Sequence, residues 1–373
     1  MSAFFMLENK VTLKVNGIDY SGWTSVSIIT SLQSFYRTFS LESSRRVSSE
    51  GILGVGIRTC DEVEVFIGED KVITGYVTKV DVSYNASSLH IRIQGAGKPW
   101  TMFSSALPYT APKAYENTSI TETLKRIASF FGLTFHSTIS LTDKTTVSFS
   151  ADESIISKIQ DILKRKNILL TEDEFGRLVL TSPGALGQAS SYLKSGENIL
   201  SGKISDNAEN YYSEYLVYGQ GTNPDSLRPV TDNQLVGKAT GSHKIVRVLA
   251  KKQTGNALQS DLDVRANLLK NYSEATAVTR SYIVKSWRQD NGELWRPNQI
   301  VKVMDSIFNE YSGLLVESVT YSLNSNGTVC QLNLVPLSAL GFVDLSSTEE
   351  KVKKASNLKL TSVNTTDAKW TDT

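Results

Sequence analysis

At 373 residues the chain is long enough for more than one domain of the usual size, roughly 100–200 residues each. Hydrophobic residues make up 40% and charged residues 21%, the balance of a chain that buries real cores, not of a disordered one. Lys and Arg number 39 against 38 Asp and Glu, a net charge of +1, so the global basic excess of a dedicated nucleic-acid binder is absent.

The opening MSAFFMLENK has a short apolar run but neither the basic start nor the small-residue cleavage site of a signal peptide, and it reads as a docked or frayed end. VTLKVNGIDYSGW then spells a hairpin: Val11, Leu13 and Val15 alternate with polar residues, Asn16-Gly17 makes the turn, and Ile18 and Tyr20 begin the return. FYRTFSLES alternates at Phe35, Phe39 and Leu41. Three more alternating runs carry Val63, Val65 and Ile67, then Val80, Val82 and Tyr84, then Leu89, Ile91 and Ile93. Short strands separated by turn signals predict a small antiparallel β-barrel over residues 1–97.

The texture changes after Pro99. Ser119 and Glu122 fit a capping box, and the helix they open stops at Gly132. A second helix, DESIISKIQDILKRKN, presents Ile155, Ile159, Ile162 and Leu163 on one face. ILLTEDEFGRLVLTSPG reads as a hairpin, which makes 98–186 an α+β module. From Ile199 strands return in EYLVYGQG, HKIVRVLAKKQ, RSYIVKSW, NQIVKVMD, GLLVESVTYSLN and GTVCQLNLV. They predict a second β-barrel over 187–342, with a loop and helix insertion at about 222–277. The inserted helix has Leu258, Leu262, Ala266, Leu268 and Leu269 crowded on one side. Residues 343–373 are rich in Ser, Thr and Lys and read as a flexible tail. The expected fold is mainly β with α+β insertions: two small antiparallel β-barrel domains plus an α+β module. No apolar run reaches the roughly 20 residues of a membrane span, so direct membrane insertion is not expected.

Little in the chain advertises catalysis. His90, His136 and His243 have no partner at metal-ligand spacing. GVGIRTCDE and GALGQAS lack the Lys-Ser/Thr of a phosphate loop, and there is no G-x-S-x-G elbow. The acids of TEDE, Thr171 to Glu174, and those beside Cys60 sit in a hairpin turn and at a strand entrance, where carboxylates are solvated. The basic runs at 164–166 and 351–354 also read as solvated. Cys60 and Cys330 are too isolated for a disulfide framework or thiolate site. No metal or other cofactor is expected. In NGELWRPNQIVKVMD, Pro297 belongs at a strand mouth, Trp295 covers a barrel end, and Arg296 pairs across a subunit boundary or with solvent. Trp23, Gly75, Gly95, Trp287, Trp295, Arg296, Pro297 and Asn298 are the structural or assembly candidates.

LKVNGIDYSGWTSVSI followed by FYRTFSLE, then VEVFIGEDKVITGYVTKVDVSYNASSLHIRIQGAGK, then GELWRPNQIVKVMD before two last strands, resembles the baseplate hub proteins of phage Mu and its prophage relatives over about residues 8–340. The resemblance implies a homotrimeric ring at the centre of a contractile tail's baseplate, in the virion after assembly in the host cytoplasm. Two like domains per subunit would let a threefold central spike meet a sixfold tail tube, beside other baseplate proteins. DNA would pass the channel without sequence-specific binding. No catalytic residues carry over. Two other classes stay open: a tail-associated enzyme that degrades peptidoglycan, which needs an acid/base pair or metal ligands, and a carbohydrate- or receptor-binding tail module, which needs aromatics exposed on loops.

Overall fold

The computed structural model describes residues 9–46, 56–141, 143–150, 153–166, 168–220, 234–256, 258–325 and 327–339. The expected tail, the polar loop at 222–233 and the first eight residues lie outside the described residues.

The first hairpin forms as its Asn-Gly pair dictates. Strands β1 (Val11–Val15) and β2 (Ile18–Tyr20) flank Asn16 and Gly17, whose φ angles of 49° and 83° are those a two-residue hairpin turn requires. There follow β3 (Ser25–Ser31), β4 (Thr38–Arg46), β5 (Glu62–Ile67), β6 (Asp70–Tyr84) and β7 (Ser88–Gly97). Their order in the sheet is β3-β4-β7-β6-β5-β1-β2, antiparallel throughout.

Next come α1 (Trp100–Phe103), β8 (Ala114–Ser119), α2 (Ile120–Phe130), β9 (Phe135–Ser137), β10 (Lys144–Ser148), α3 (Ile155–Lys166), β11 (Leu169–Glu172) and β12 (Leu178–Thr181). The Ser119 hydroxyl accepts from the Glu122 amide at 3.2 Å, which caps α2. Leu124 and Ile127 of α2 meet Ile155, Ile159 and Leu163 of α3 over Leu170, Leu178 and Leu180, so this module has its own core.

The chain continues through β13 (Leu193–Lys194), β14 (Ile199–Asp206), β15 (Glu214–Gln220), β16 (Gln234–Thr240), β17 (Val248–Asn256), α4 (Gln259–Ala277), β18 (Val278–Val284), β19 (Ile300–Met304), β20 (Gly313–Asn324) and β21 (Gly327–Val335). Strands β15, β16 and β17 form a separate small sheet that packs on α4 through Tyr215, Val217, Leu262 and Ala266. The other strands repeat the ladder of the first half. Strand β14 pairs with β18, β18 with β21, β21 with β20, β20 with β19 and β19 with β13, matching β3, β4, β7, β6, β5 and β1 in turn. One departure is the last pair: β13 runs parallel to β19, whereas β1 is antiparallel to β5. A second is the connection between the first two strands of each ladder. In the first half it is only Leu32–Arg37, and in the second it holds β15, β16, β17 and α4.

The mainly β class with α+β insertions holds, but the two expected barrels are not closed barrels. The reason lies in β20. Its start, Gly313–Leu315, pairs with β19; a bulge intervenes between Val316 and Ser318; then Ser318–Leu323 pair with β3 of the first half. A bulge bends its strand and re-aims the ladder, so one strand serves two neighbours on the same side. The halves thereby share one sheet and one core, in which Leu13, Ile28, Leu41, Val65 and Ile93 cluster with Tyr282, Trp287, Val303, Val319 and Tyr321.

Candidate functional site

Among the described residues no group of three or more His, Cys, Asp or Glu side chains is placed to hold a metal ion, and no helix is long and apolar enough to cross a membrane. His90 and His136 are exposed on strands, and His243 accepts from the Ile245 amide at 3.1 Å and lies beside the Tyr211 ring. What the fold builds is a set of joints between its parts.

The first joint is the segment that contains LWRPN. Trp287 and Trp295 are 0% and 2% exposed. The Trp287 indole donates to the Val329 carbonyl at 2.8 Å and meets the Tyr321 ring edge to face at 5.9 Å. The Tyr321 hydroxyl donates to the Trp295 carbonyl, and burial pushes its pKa far above the usual phenol value. Arg288 reaches into the first half, donating to the Asp70 carboxylate at 2.6 Å and to the Ile67 carbonyl at 3.1 Å. Asn298 holds the left-handed φ of 72°. Its side chain accepts from the Gly184 amide at 2.7 Å and donates to the Ser182 carbonyl at 3.0 Å, while its own amide donates to the Val316 carbonyl at 2.8 Å. Asn298 therefore pins the chain leaving the α+β module onto β20. Gln289 donates to Gln299 at 3.0 Å inside the same buried patch. Pro297 is half-buried and Arg296 exposed, with the Arg296 backbone amide tied to Gln299 at 3.1 Å. Trp295 thus lies in the core shared by both halves, where the sequence reading places it over the end of one barrel.

The second joint clamps the β11–β12 hairpin onto the first half. Glu172 is 2% exposed. One carboxylate oxygen accepts from the Arg37 amide at 2.7 Å, the other has no partner among the described residues, and the Arg37 guanidinium donates to the Glu172 carbonyl at 3.0 Å. The carboxylate lies over Gly97, where a Cβ would collide with it. Burial pushes the Glu172 pKa up to about 8, against the pull of Arg37. Beside it the Thr74 hydroxyl donates to the Glu174 carbonyl at 2.8 Å. Gly75 and Gly95 stand where neighbouring chains press together: a side chain at the first would strike the Ala96 carbonyl, at the second the Phe39 ring. The expectation that the TEDE acids are all solvated fails at Glu172, because the hairpin docks on the N-terminal sheet with that residue facing inward.

The third joint is the β3–β20 seam itself. Ile28 faces Tyr321 and Val26 faces Leu323, and Ile28, Val26 and Tyr321 are at most 2% exposed. Trp23, just before β3, is half-buried against the shared core and its indole N–H has no acceptor among the described residues. Sequence reasoning missed Arg37, Glu172, Arg288 and Asp70. Each partnership spans more than a hundred residues of chain, and no local spacing signals it.

Comparison with known proteins gives two domain matches. Residues 10–97 match the N-terminal domain described as Mu phage baseplate assembly protein GpP-like, and residues 264–342 match the fourth domain of Mu phage baseplate assembly protein GpP. The chain is 24% identical over 360 residues to the baseplate hub protein gp44 of Escherichia phage Mu, covering 93% of each. Its fold is that of the 43 kDa tail protein of prophage MuSo2 from Shewanella oneidensis, with TM-score 0.80, 22% identity, and coverage of 90% of this chain and 100% of that one. The tail protein from Neisseria meningitidis MC58 shares it too, with TM-score 0.76, 15% identity, and coverage of 90% and 99%.

Proposed function

We propose that this chain, which belongs to the Mu-like baseplate proteins, is the structural hub of a contractile tail: three copies form a ring that joins the central spike to the tail tube and lets DNA pass during ejection. The observation that carries the reading is the repeated ladder, two like half-sheets in one subunit. Three such subunits present three equivalent faces to a threefold spike and six similar half-sheets to a sixfold tube. A net charge of +1 suits a conduit, since a strongly basic lumen would hold DNA by its phosphates. In this reading the protein assembles with spike, tube and other baseplate proteins in the host cytoplasm, works in the virion baseplate, and catalyses no reaction. The structural candidates Trp23, Gly75, Gly95, Trp287, Trp295, Pro297 and Asn298 then serve by holding the half-sheets in fixed relation, and Arg296 by offering a charge at the surface.

The test is mass in solution by light scattering across a range of concentrations, with class averages viewed down the particle axis. Three times the chain mass of 41.1 kDa, with six similar lobes around the axis, is expected. A monomer or dimer at every concentration overturns the reading.

A further inference from the structure

The repeated ladder makes a prediction about its own edges. In the first half, β6 resembles β20 in its pairing up to and through its bulge. Its early residues, Asp70–Tyr76, pair with β5 as the early residues of β20 pair with β19. A bulge follows between Val77 and Lys79, with Val77 opposite Gly95 and Lys79 opposite Gln94; in β20 it falls between Val316 and Ser318, with Val316 opposite Leu334 and Ser318 opposite Asn333. Lys79 is therefore the counterpart of Ser318. The difference comes after the bulge. Ser318–Leu323 receive β3 on their open side, whereas Lys79–Tyr84 pair only with β7 among the described residues.

The missing partner has a counterpart too. Strand β14 occupies in the second half the place of β3 in the first: Ile28 pairs with Phe39, which pairs with Gly95, as Ile204 pairs with Arg280, which pairs with Leu334. In the first half β3 uses both edges, one on β4 and one on β20. In the second half Ser201–Asp206 use only the edge on β18 among the described residues. The chain thus contains one filled joint and the two unfilled halves of a second.

Resting on the trimeric hub reading for its stoichiometry, we propose that the outer edge of β14 in one copy pairs with the distal half of β6 in the next copy, repeating between subunits the β3–β20 seam found within each. The register follows from the internal one. Tyr321 opposite Ile28 becomes Val82 opposite Ile204, and Leu323 opposite Val26 becomes Tyr84 opposite Gly202.

Side chains support the occupant. Val82 is 49% and Tyr84 73% exposed, although Val82's counterpart Tyr321 is 2% exposed in the filled seam. Tyr84 would lie opposite Gly202, on a face that the rings of Phe308 and Tyr282 already line. On the other face Asp81 comes diagonal to Lys203, an opposite-charge pair across the new seam. A long exposed edge bearing Val and Tyr invites uncontrolled strand addition unless something covers it. A head-to-tail contact of this kind closes into a ring when its rotation divides a full turn. Repeating the internal joint gives six half-sheets alternating filled-within and filled-between.

The experiment uses the full chain with the exposed Cys60 changed to Ser. Val82→Cys with Ile204→Cys places two thiols directly opposite, within disulfide reach across a strand pair. Oxidation is expected to give covalent species of two and three chains and nothing larger. Each single-cysteine variant should give no such ladder, and the out-of-register pair Val82→Cys with Lys203→Cys at least tenfold less. In parallel, Asp81→Lys should raise the concentration of half-dissociation at least tenfold, and Lys203→Asp added to it should restore the original value. If the parent chain has three-chain mass but the in-register pair links no better than the control, the seam is refuted and the hub reading survives. A parent that stays monomeric refutes both.

Discussion

Changing Glu172 to Gln should remove a pH dependence of stability that the native fold carries. In the folded chain the carboxyl is buried against Gly97 and Arg37, and its pKa is raised from 4.5 to about 8. The folded state holds this proton more tightly than the unfolded state. The contribution to stability is therefore fully present below about pH 4.5, declines as pH rises, and is gone once pH passes the folded value near 8. One pKa unit corresponds to about 1.4 kcal/mol, so between pH 5 and pH 8 the native chain should lose roughly 3–4 kcal/mol through this group alone. The Gln variant keeps an acceptor for the Arg37 amide but cannot ionise. Urea midpoints for both proteins at pH 5, 6, 7 and 8 give the comparison in which other titrating groups cancel. The stability of the variant relative to the native chain should rise steadily across this range and flatten above pH 8. Two profiles that stay parallel would refute the reasoning and show that Glu172 ionises in the fold without cost.

Trp287→Ala and Trp295→Ala each delete an indole from the shared core and should each cost about 3–5 kcal/mol in denaturant unfolding. Unchanged midpoints would remove either residue from the list of anchors. Asn298→Ala loses two side-chain hydrogen bonds at a left-handed φ and should cost roughly 1–3 kcal/mol, whereas Asn298→Gly, which tolerates that φ, should cost less; equal losses would show that the backbone conformation contributes nothing. Gly75→Val should lower the thermal midpoint sharply, because its side chain meets the Ala96 carbonyl, and a soluble variant melting like the parent would contradict that contact. Removing residues 343–373 should leave the number of chains per particle unchanged by light scattering, since that composition offers little apolar area to bury.

Local structure was legible from the residues where a local rule decides it. The Asn16-Gly17 hairpin, the Ser119 cap and the alternation of Val63, Val65 and Ile67 each rest on neighbours within a few positions. What escaped is what the chain brings together from afar. Period-2 alternation says that Val319 and Tyr321 face a core, but not that β3, some three hundred residues earlier, supplies the other side of it. The barrels expected from strand counts were drawn closed because sequence carries no sign of which edge pairs with which. The bulge that decides the matter replaces no residue with a telltale Gly or Pro: Glu317 sits there in β20 and Thr78 in β6. Glu172 was hidden for a related reason, since a carboxylate beside a turn looks the same in sequence whether the hairpin meets water or another sheet.

The unequal connections between paired ladders bear on how such a protein diversifies. Where the first half passes from β3 to β4 through Leu32–Arg37, the second half passes from β14 to β18 through about seventy residues with a core of their own. Holding the ends of a longer excursion costs little, about 0.6 kcal/mol for each doubling, or about 2 kcal/mol here. The inserted body bears its own folding energy through Tyr215, Val217, Leu262 and Ala266. The gap between Asp206 and Val278 is therefore a socket: a foreign domain whose termini lie a strand spacing apart could occupy it, and the protein would acquire a new appendage without altering a residue of the ladder strands on either side.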